Sequence, residues 1–205
     1  MKIIAVGMNY AEHNKELDST LVIRKEPVIF MKPDSALLKD GKPFFIPDFS
    51  DEVHYETELV VKICRLGKNI AERFAHRYYE EVTVGIDFTA RDLQRKAREV
   101  GNPWEICKGF DDSAAVGKFV SLDKFGEIQN LNFHLDIDGN KVQQGNTADM
   151  LFKVDEIIAY VSRFFTLKIG DLIFTGTPVG VGPVAIGQHL QGYLEEEKLL
   201  DFYIR

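Results

Sequence analysis

The sequence predicts a β-rich α+β fold with mixed sheets, and three observations carry that expectation. Apolar runs of strand length outnumber segments with helical spacing. The two kinds do not alternate, as they would in a doubly wound parallel sheet. Between the strand candidates NLNFHLDI and KVQQ lies the turn Asp138-Gly139-Asn140, a hairpin signal that pairs neighbouring segments antiparallel. With 205 residues, no internal repeat and no linker, the chain reads as one domain over 1–205.

In chain order, KIIAVG is the first strand candidate, and the polar NYAEHNKELDS after it has the character of a short helix. EPVIFMKP and KPFFIP read as short strands bounded by proline, and HYETELVVKIC as one longer strand. AERFAHRYYEEV reads as a helix and VTVGID as a strand. TARD opens a helix that runs to Gly101, with Thr89 as the capping residue and Asp92 reaching back. In FKVDEIIAYVSRFF, residues Ile157, Ile158, Val161, Phe164 and Phe165 recur at helical spacing. GDLIFTG, GQHLQGYLEEE and KLLDFYIR close the chain as strands.

Bulk composition excludes several function classes. A formal net charge of −7 argues against nucleic acid or an anionic membrane as partner. No apolar stretch approaches the roughly 18 residues that span a membrane. The opening MKIIAVGMNY is too brief for the apolar core of a secretory signal. Cys64 and Cys107 lie far apart without CxxC spacing, which fits a reduced, cytoplasmic location. A small-molecule ligand is left; if it is an anion, an acidic chain must supply a local cation to bind it.

Several short patterns bear chemistry, each beside a plainer reading. In HYETEL, Glu56 and Glu58 share one face of a strand while Thr57, Leu59, Val61 and Ile63 take the other. At about 3.4 Å per residue their Cα atoms are roughly 7 Å apart, near enough to hold one hard cation, yet E-x-E also suits a solvated strand end. Asp87 ends VTVGID and would complete an all-oxygen site, although spacing alone does not link it to the pair. His54 shares their parity, but no second histidine supports an iron site. His13 and Glu16 stand at i and i+3, where a carboxylate orients an imidazole as base, or where a surface helix simply carries charge. TGTPVGVGPVAIG contains GxGxxA, but Pro183 and the missing helix pattern break the dinucleotide fingerprint, leaving a ligand-lining turn or a plain loop. Lys108 in WEICKGFDD is a site cation or an ordinary surface lysine, and the run Glu195 to Glu197 a solvated strand or turn.

The order of these motifs resembles the fumarylacetoacetate hydrolase family, in particular its short members acting on acylpyruvates or oxaloacetate. GMNYAEHNKEL, EPVIFMKP, HYETEL, GIDFTARDLQ, PWEICKGFD, GNTADMLF and DLIFTGTPVGVGP carry the resemblance along nearly the whole chain. It implies a β-rich roll with a few peripheral helices, commonly a homodimer. It implies that Glu56, Glu58 and Asp87 hold Mg²⁺, or Mn²⁺ in its place, and that His13 and Glu16 form the dyad of a lid helix. Lys108 matches the lysine near the metal, Gln94 a polar substrate contact and Thr177 the hydroxyl near a substrate carboxylate. Arg91 belongs to the same motif as a substrate-binding residue, whereas Asp92 only caps its helix. Gly109 departs from the pattern, standing where relatives often carry serine or another small polar residue.

The activity implied is cleavage of a C–C bond in a 2-oxo acid bearing a β-carbonyl, passing through the enolate of pyruvate. His13 would deprotonate the attacking water in acylpyruvate hydrolysis, and oxaloacetate decarboxylation would need no such water. The alternatives are an isomerase or hydratase of unsaturated 2-oxo dicarboxylates, and a catalytically silent binding module.

Overall fold

The computed structural model describes residues 1–12 and 25–205. In the first half the strands are β1 (Ile3–Gly7), β2 (Val28–Lys32), β3 (Leu37–Leu38), β4 (Val53–Tyr55), β5 (Thr57–Ile63), β6 (Tyr79–Asp87) and β7 (Thr89–Ala90). Helices α1 (Arg91–Val100) and α2 (Glu105–Lys108) follow. The second half adds β8 (Ala114–Val116), β9 (Val120–Ser121), β10 (Asn132–Ile137), β11 (Asn140–Asn146) and helix α3 (Val154–Ser162). It ends with β12 (Leu172–Phe174), β13 (Gly182–Pro183), β14 (His189–Leu194) and β15 (Glu197–Tyr203).

The fold is β-rich α+β with mixed sheets, as the sequence predicts. One curled sheet runs β2-β1-β12-β5-β6-β8-β3 with β9 beside β6; a second runs β11-β10-β14-β15, and a third β13-β4-β7. The pairs β1–β12 and β3–β8 are parallel, and the other paired strands are antiparallel. The β10–β11 hairpin turns at Asp138 and Gly139, both with positive φ, as the Asp-Gly-Asn signal requires.

The core lies between the large sheet and the β10–β15 sheet. Leu59, Val61, Val84 and Ile86 from one meet Phe133, Leu135, Leu190, Leu194 and Phe202 from the other. Gly192 lets the layers approach: a Cβ there would stand 2.9 Å from Val84 and 3.0 Å from Leu200. On the opposite face of the large sheet, Ile3, Ala5, Val60, Leu172 and Phe174 form a second apolar cluster. Residues Thr57 to Val61 are therefore all buried, and the run TELVV reads apolar without clean alternation because both faces of β5 are covered.

Four expectations are corrected. HYETELVVKIC is two strands in two sheets, broken at Glu56. AERFAHRYYEEV forms 3₁₀ turns over Glu72–Tyr78, and Tyr79 already belongs to β6 because pairing with Ile63 on β5 outweighs local helical periodicity. KPFFIP makes only a bridge, Phe44 to Ile204, since Pro43 and Pro47 lack the N–H groups that a ladder needs. Thr89 does not cap α1: it lies in β7, and Asp92 instead accepts from Ser50 Oγ at 2.7 Å and the Asp51 and Leu93 N–H groups. The other end of α1 is as expected, with Gly101 left-handed at φ 71°. Helix α3 buries Ile157, Ile158 and Val161, but it ends at Ser162 and leaves Phe164 exposed.

Candidate active site

The site sits where strands change sheets. Chain passes from β4 to β5 at Glu56 and from β6 to β7 at Phe88, and the two crossings are adjacent because the Asp87 N–H donates to the Glu56 carbonyl at 2.8 Å. The β5–β6 register, Thr57 opposite Ile86 and Glu58 opposite Gly85, extends to set Glu56 opposite Asp87. Directly opposed residues bring their Cβ atoms to about 5 Å, and Glu58 follows Glu56 on the same face. One oxygen from each of Glu56, Glu58 and Asp87 lies within 4.8 Å of the others, and all three residues are buried. Among the described residues this is the group that gathers such donors, and it links Asp87 to the E-x-E pair as spacing alone could not.

Three buried cations face the three carboxylates. Lys108, delivered by α2, donates to Glu56 Oε2 at 2.8 Å, Asp87 Oδ2 at 2.7 Å and Thr89 Oγ1 at 2.6 Å, which uses all its N–H groups. Arg91, at the start of α1, reaches Glu56 Oε1 at 2.6 Å through Nη2 and Gln94 Oε1 at 2.6 Å through Nη1. Because Arg91 can only donate, the Gln94 oxygen faces it and the Gln94 amide nitrogen is left as a donor on the cavity side. Lys32, the last residue of β2, pairs with Asp87 Oδ1 at 2.5 Å, donates to Ser113 O at 2.9 Å and also contacts the Lys108 carbonyl.

Burial and charge act in opposite directions here. Burial lowers Lys32 below its ordinary value against the pull of Asp87. Burial also works against the Lys108 ammonium, but Asp87 and Glu56 outweigh it and hold that pKa above the usual lysine value. Glu58 takes the Gly176 N–H at 2.6 Å, and burial, followed by repulsion from Asp87 and Glu56, pushes its carboxyl well above the usual range. Three buried carboxylates whose oxygens converge fit a hard divalent cation, which would relieve their mutual repulsion.

The remaining predicted positions are distributed as follows. Gln94 and Thr177 line the same narrow cavity, of about 30 Å³, together with Phe30, Arg98 and Trp104. His54 stays outside the triad: its Nε2 is 2.9 Å from Glu52 Oε1, and burial and then Arg91 lower its pKa. His13 and Glu16 lie outside the described residues. At Gly109 a Cβ would stand 2.9 Å from the Glu105 carbonyl and 3.1 Å from Pro33, so the chain packs closely there and a side chain would force a shift.

Sequence reasoning missed Lys32, Asn9 and Gln143. Lys32 continues the strand parity of Val28 and Phe30, and a lysine ending an apolar strand face was the available signal. Fully buried Asn9 donates to Thr175 O at 2.7 Å and Phe152 O at 3.0 Å, and accepts from the Phe152 N–H. It crowds Gly176, where φ is +100° and a Cβ would lie 2.7 Å from that of Asn9. Nothing local marks Asn9 or Gln143, because their partners lie 34 to 166 residues away in sequence.

Comparison with known proteins agrees with this geometry. The model of the fumarylacetoacetate (FAA) hydrolase C-terminal family matches residues 2–203. Oxaloacetate tautomerase YcgM of Escherichia coli is 42% identical over 190 residues, covering 92% of this chain and 86% of the relative. A mitochondrial oxaloacetate decarboxylase of Dictyostelium discoideum is 42% identical over 188 residues, covering 91% and 85%. Fumarylpyruvate hydrolase of Pseudomonas aeruginosa, solved with Mn²⁺ and pyruvate, superposes with a TM-score of 0.91 at 35% identity, covering all of this chain and 89% of that one. The chain belongs to the fumarylacetoacetate hydrolase family.

Proposed function

We propose that this chain is a divalent-cation-dependent enzyme acting on 2-oxo acids with a carbonyl at the β position, and that interconversion of the keto and enol forms of oxaloacetate is its reaction. The observation that carries this reading is the buried triad of Glu56, Glu58 and Asp87 ringed by Lys32, Arg91 and Lys108. Three carboxylates and three cations balance, so a bound divalent cation leaves the site with an excess of two positive charges. That excess suits a dicarboxylate dianion and answers the acidic chain's need for a local cation.

Glu56, Glu58 and Asp87 would hold Mg²⁺ or Mn²⁺, which supplies a Lewis acid for the oxygens of a 2-oxo acid. Lys108 bridges Glu56 and Asp87, Lys32 holds the other Asp87 oxygen, and Arg91 aims both Glu56 and the Gln94 amide. Gln94 then donates to a substrate oxygen, and Thr177 lines the same cavity. His13, with Glu16 as its partner in the dyad that the family resemblance implies, would move the proton: taken from the carbon between the two carbonyls and returned on the 2-oxo oxygen, it gives the enol with no C–C bond broken.

Cleavage of a C–C bond is the second reading, supported by the relative named as a decarboxylase and by the fumarylpyruvate hydrolase structure with pyruvate. In that case the bond to the distal carboxylate breaks, its electron pair enters the enolate of pyruvate, and CO₂ leaves.

The test follows enol absorbance and pyruvate release from oxaloacetate, with Mg²⁺ and with a chelator. Fast, chelator-sensitive loss of enol without pyruvate supports the tautomerase; stoichiometric pyruvate supports cleavage. If neither rate responds to the protein, the proposal fails. His13→Ala should reduce turnover by about 10²–10⁴-fold while Mg²⁺ still raises the melting temperature.

A further inference from the structure

Gln143, on β11 and buried, joins three groups that border the site. Its Oε1 accepts from the Thr57 N–H at 2.9 Å, and its Nε2 donates to Pro178 O at 2.9 Å and Thr177 Oγ1 at 2.8 Å. The orientation of this amide is fixed by chemistry: a main-chain N–H can only donate, and a main-chain carbonyl can only accept. Nε2 is therefore the donor toward Thr177, and the Thr177 hydroxyl must spend its own proton elsewhere. It does so on the Thr57 carbonyl at 2.9 Å. Both scaffold bonds of that hydroxyl are then made, and it has no proton left to offer an anion.

The Thr177 main chain is different. Thr177 is 4% exposed and lines the cavity beside Glu58, and its N–H has no acceptor among the described residues. Buried main-chain N–H groups are paired in the great majority of cases, so one left open on a cavity wall points to a ligand atom. The preceding Gly176 N–H is already committed to Glu58.

We propose that Gln143 is a positioning residue that ties the Thr177 hydroxyl into the scaffold and leaves the Thr177 main-chain N–H to bind an anionic oxygen of the ligand. The proposal rests on the 2-oxo-acid reading of the site. It also assigns the specificity of this wall: an acceptor such as a carboxylate oxygen fits there, and a group that can only donate, such as an ammonium, does not.

Oxalate, an acceptor-only dianion, is the probe, with Mg²⁺ present throughout. Binding is measured by calorimetry and the Thr177 amide is followed by NMR in the wild-type protein, which needs no variant to fold. The expected result is that the Thr177 amide resonance moves downfield and its hydrogen exchange slows when oxalate binds. Thr177→Val should lose less than about threefold in oxalate affinity, whereas Gln143→Leu, which frees both Thr177 and Pro178, should lose about tenfold, or 1.4 kcal/mol. A Thr177 amide that does not respond while oxalate binds overturns the proposal alone. So does a tenfold loss in Thr177→Val that Thr177→Ser does not share, or a Gln143→Leu protein with a lowered melting temperature and unchanged affinity. Wild-type protein that binds no oxalate overturns the 2-oxo-acid reading and this proposal with it.

Discussion

Glu58 concentrates the electrostatic cost of the site, since Arg91 and Lys108 touch Glu56, Lys32 and Lys108 touch Asp87, and Glu58 receives a main-chain N–H. Its raised pKa means that the folded protein holds this proton more tightly than the unfolded chain. The resulting stability is fully present below the unfolded carboxyl value, about 4.3, and is lost as the pH rises through the folded one. Metal-free protein should therefore lose melting temperature as the pH rises out of the ordinary carboxylate range, and Glu58→Gln should flatten that slope. The same variant should abolish the rise produced by Mg²⁺; a thermal shift series with and without Mg²⁺ checks both, and an undiminished Mg²⁺ response would remove Glu58 from the site. Tyr10 poses the opposite case, a phenol 3% exposed whose hydroxyl has no hydrogen-bond partner among the described residues. Tyr10→Phe removes a desolvated group that makes no bond, so stability should stay level or rise by up to about 1 kcal/mol, roughly 2–4 °C in a chain of this size. A fall of several degrees in a calorimetric scan would show that the hydroxyl has a partner after all.

Elements bring these residues together through their ends rather than their middles. Glu56, Asp87 and Lys32 each stand at a strand terminus or break, and Lys108 ends the short α2. Hairpin β14–β15 closes the second sheet, and its outer face is pinned by Asp201, which accepts from Lys198 Nζ and faces His189 Nε2, both at 2.6 Å. Those two contacts, His189 first, bring the Asp201 carboxyl down to about 2. A depressed carboxyl adds stability above the unfolded value and loses it as the pH falls toward about 2. Because Asp201 is 43% exposed at the side chain, solvent screening limits the contribution to at most about 1 kcal/mol. Asp201→Asn should thus cost that amount at neutral pH and nothing near pH 2, a difference readable from urea midpoints at the two pH values.

At the scale of the molecule, the site is bounded by all three sheets: β5, β6 and the break at Glu56 supply the triad, β4 and β7 lead chain into and out of it, and β11 reaches it through Gln143. Disrupting any sheet should therefore disrupt the site. Trp104, the single tryptophan, lines the cavity and reports on the site, whereas far-UV dichroism reports on the sheets. Under the one-domain reading the two signals should share one urea midpoint. Separate midpoints would divide the chain into units that fold independently.

The sequence by itself determined the fold class, the hairpin, the C-terminal end of α1 and the motif order that names the family, because each is written in local spacing or in turn residues such as Gly101 and Gly139. It also supplied Glu56, Glu58, Asp87, Lys108, Gln94 and Thr177 as candidates. Only the tertiary structure decided that Glu56 and Asp87 are cross-strand partners at two sheet crossings, that Thr89 receives Lys108 rather than capping a helix, and that Lys32, Asn9 and Gln143 belong to the site at all. The reason is physical: a hydrogen bond or ion pair between residues 19 to 166 positions apart leaves no local period, and it exists only once the sheets have fixed their register.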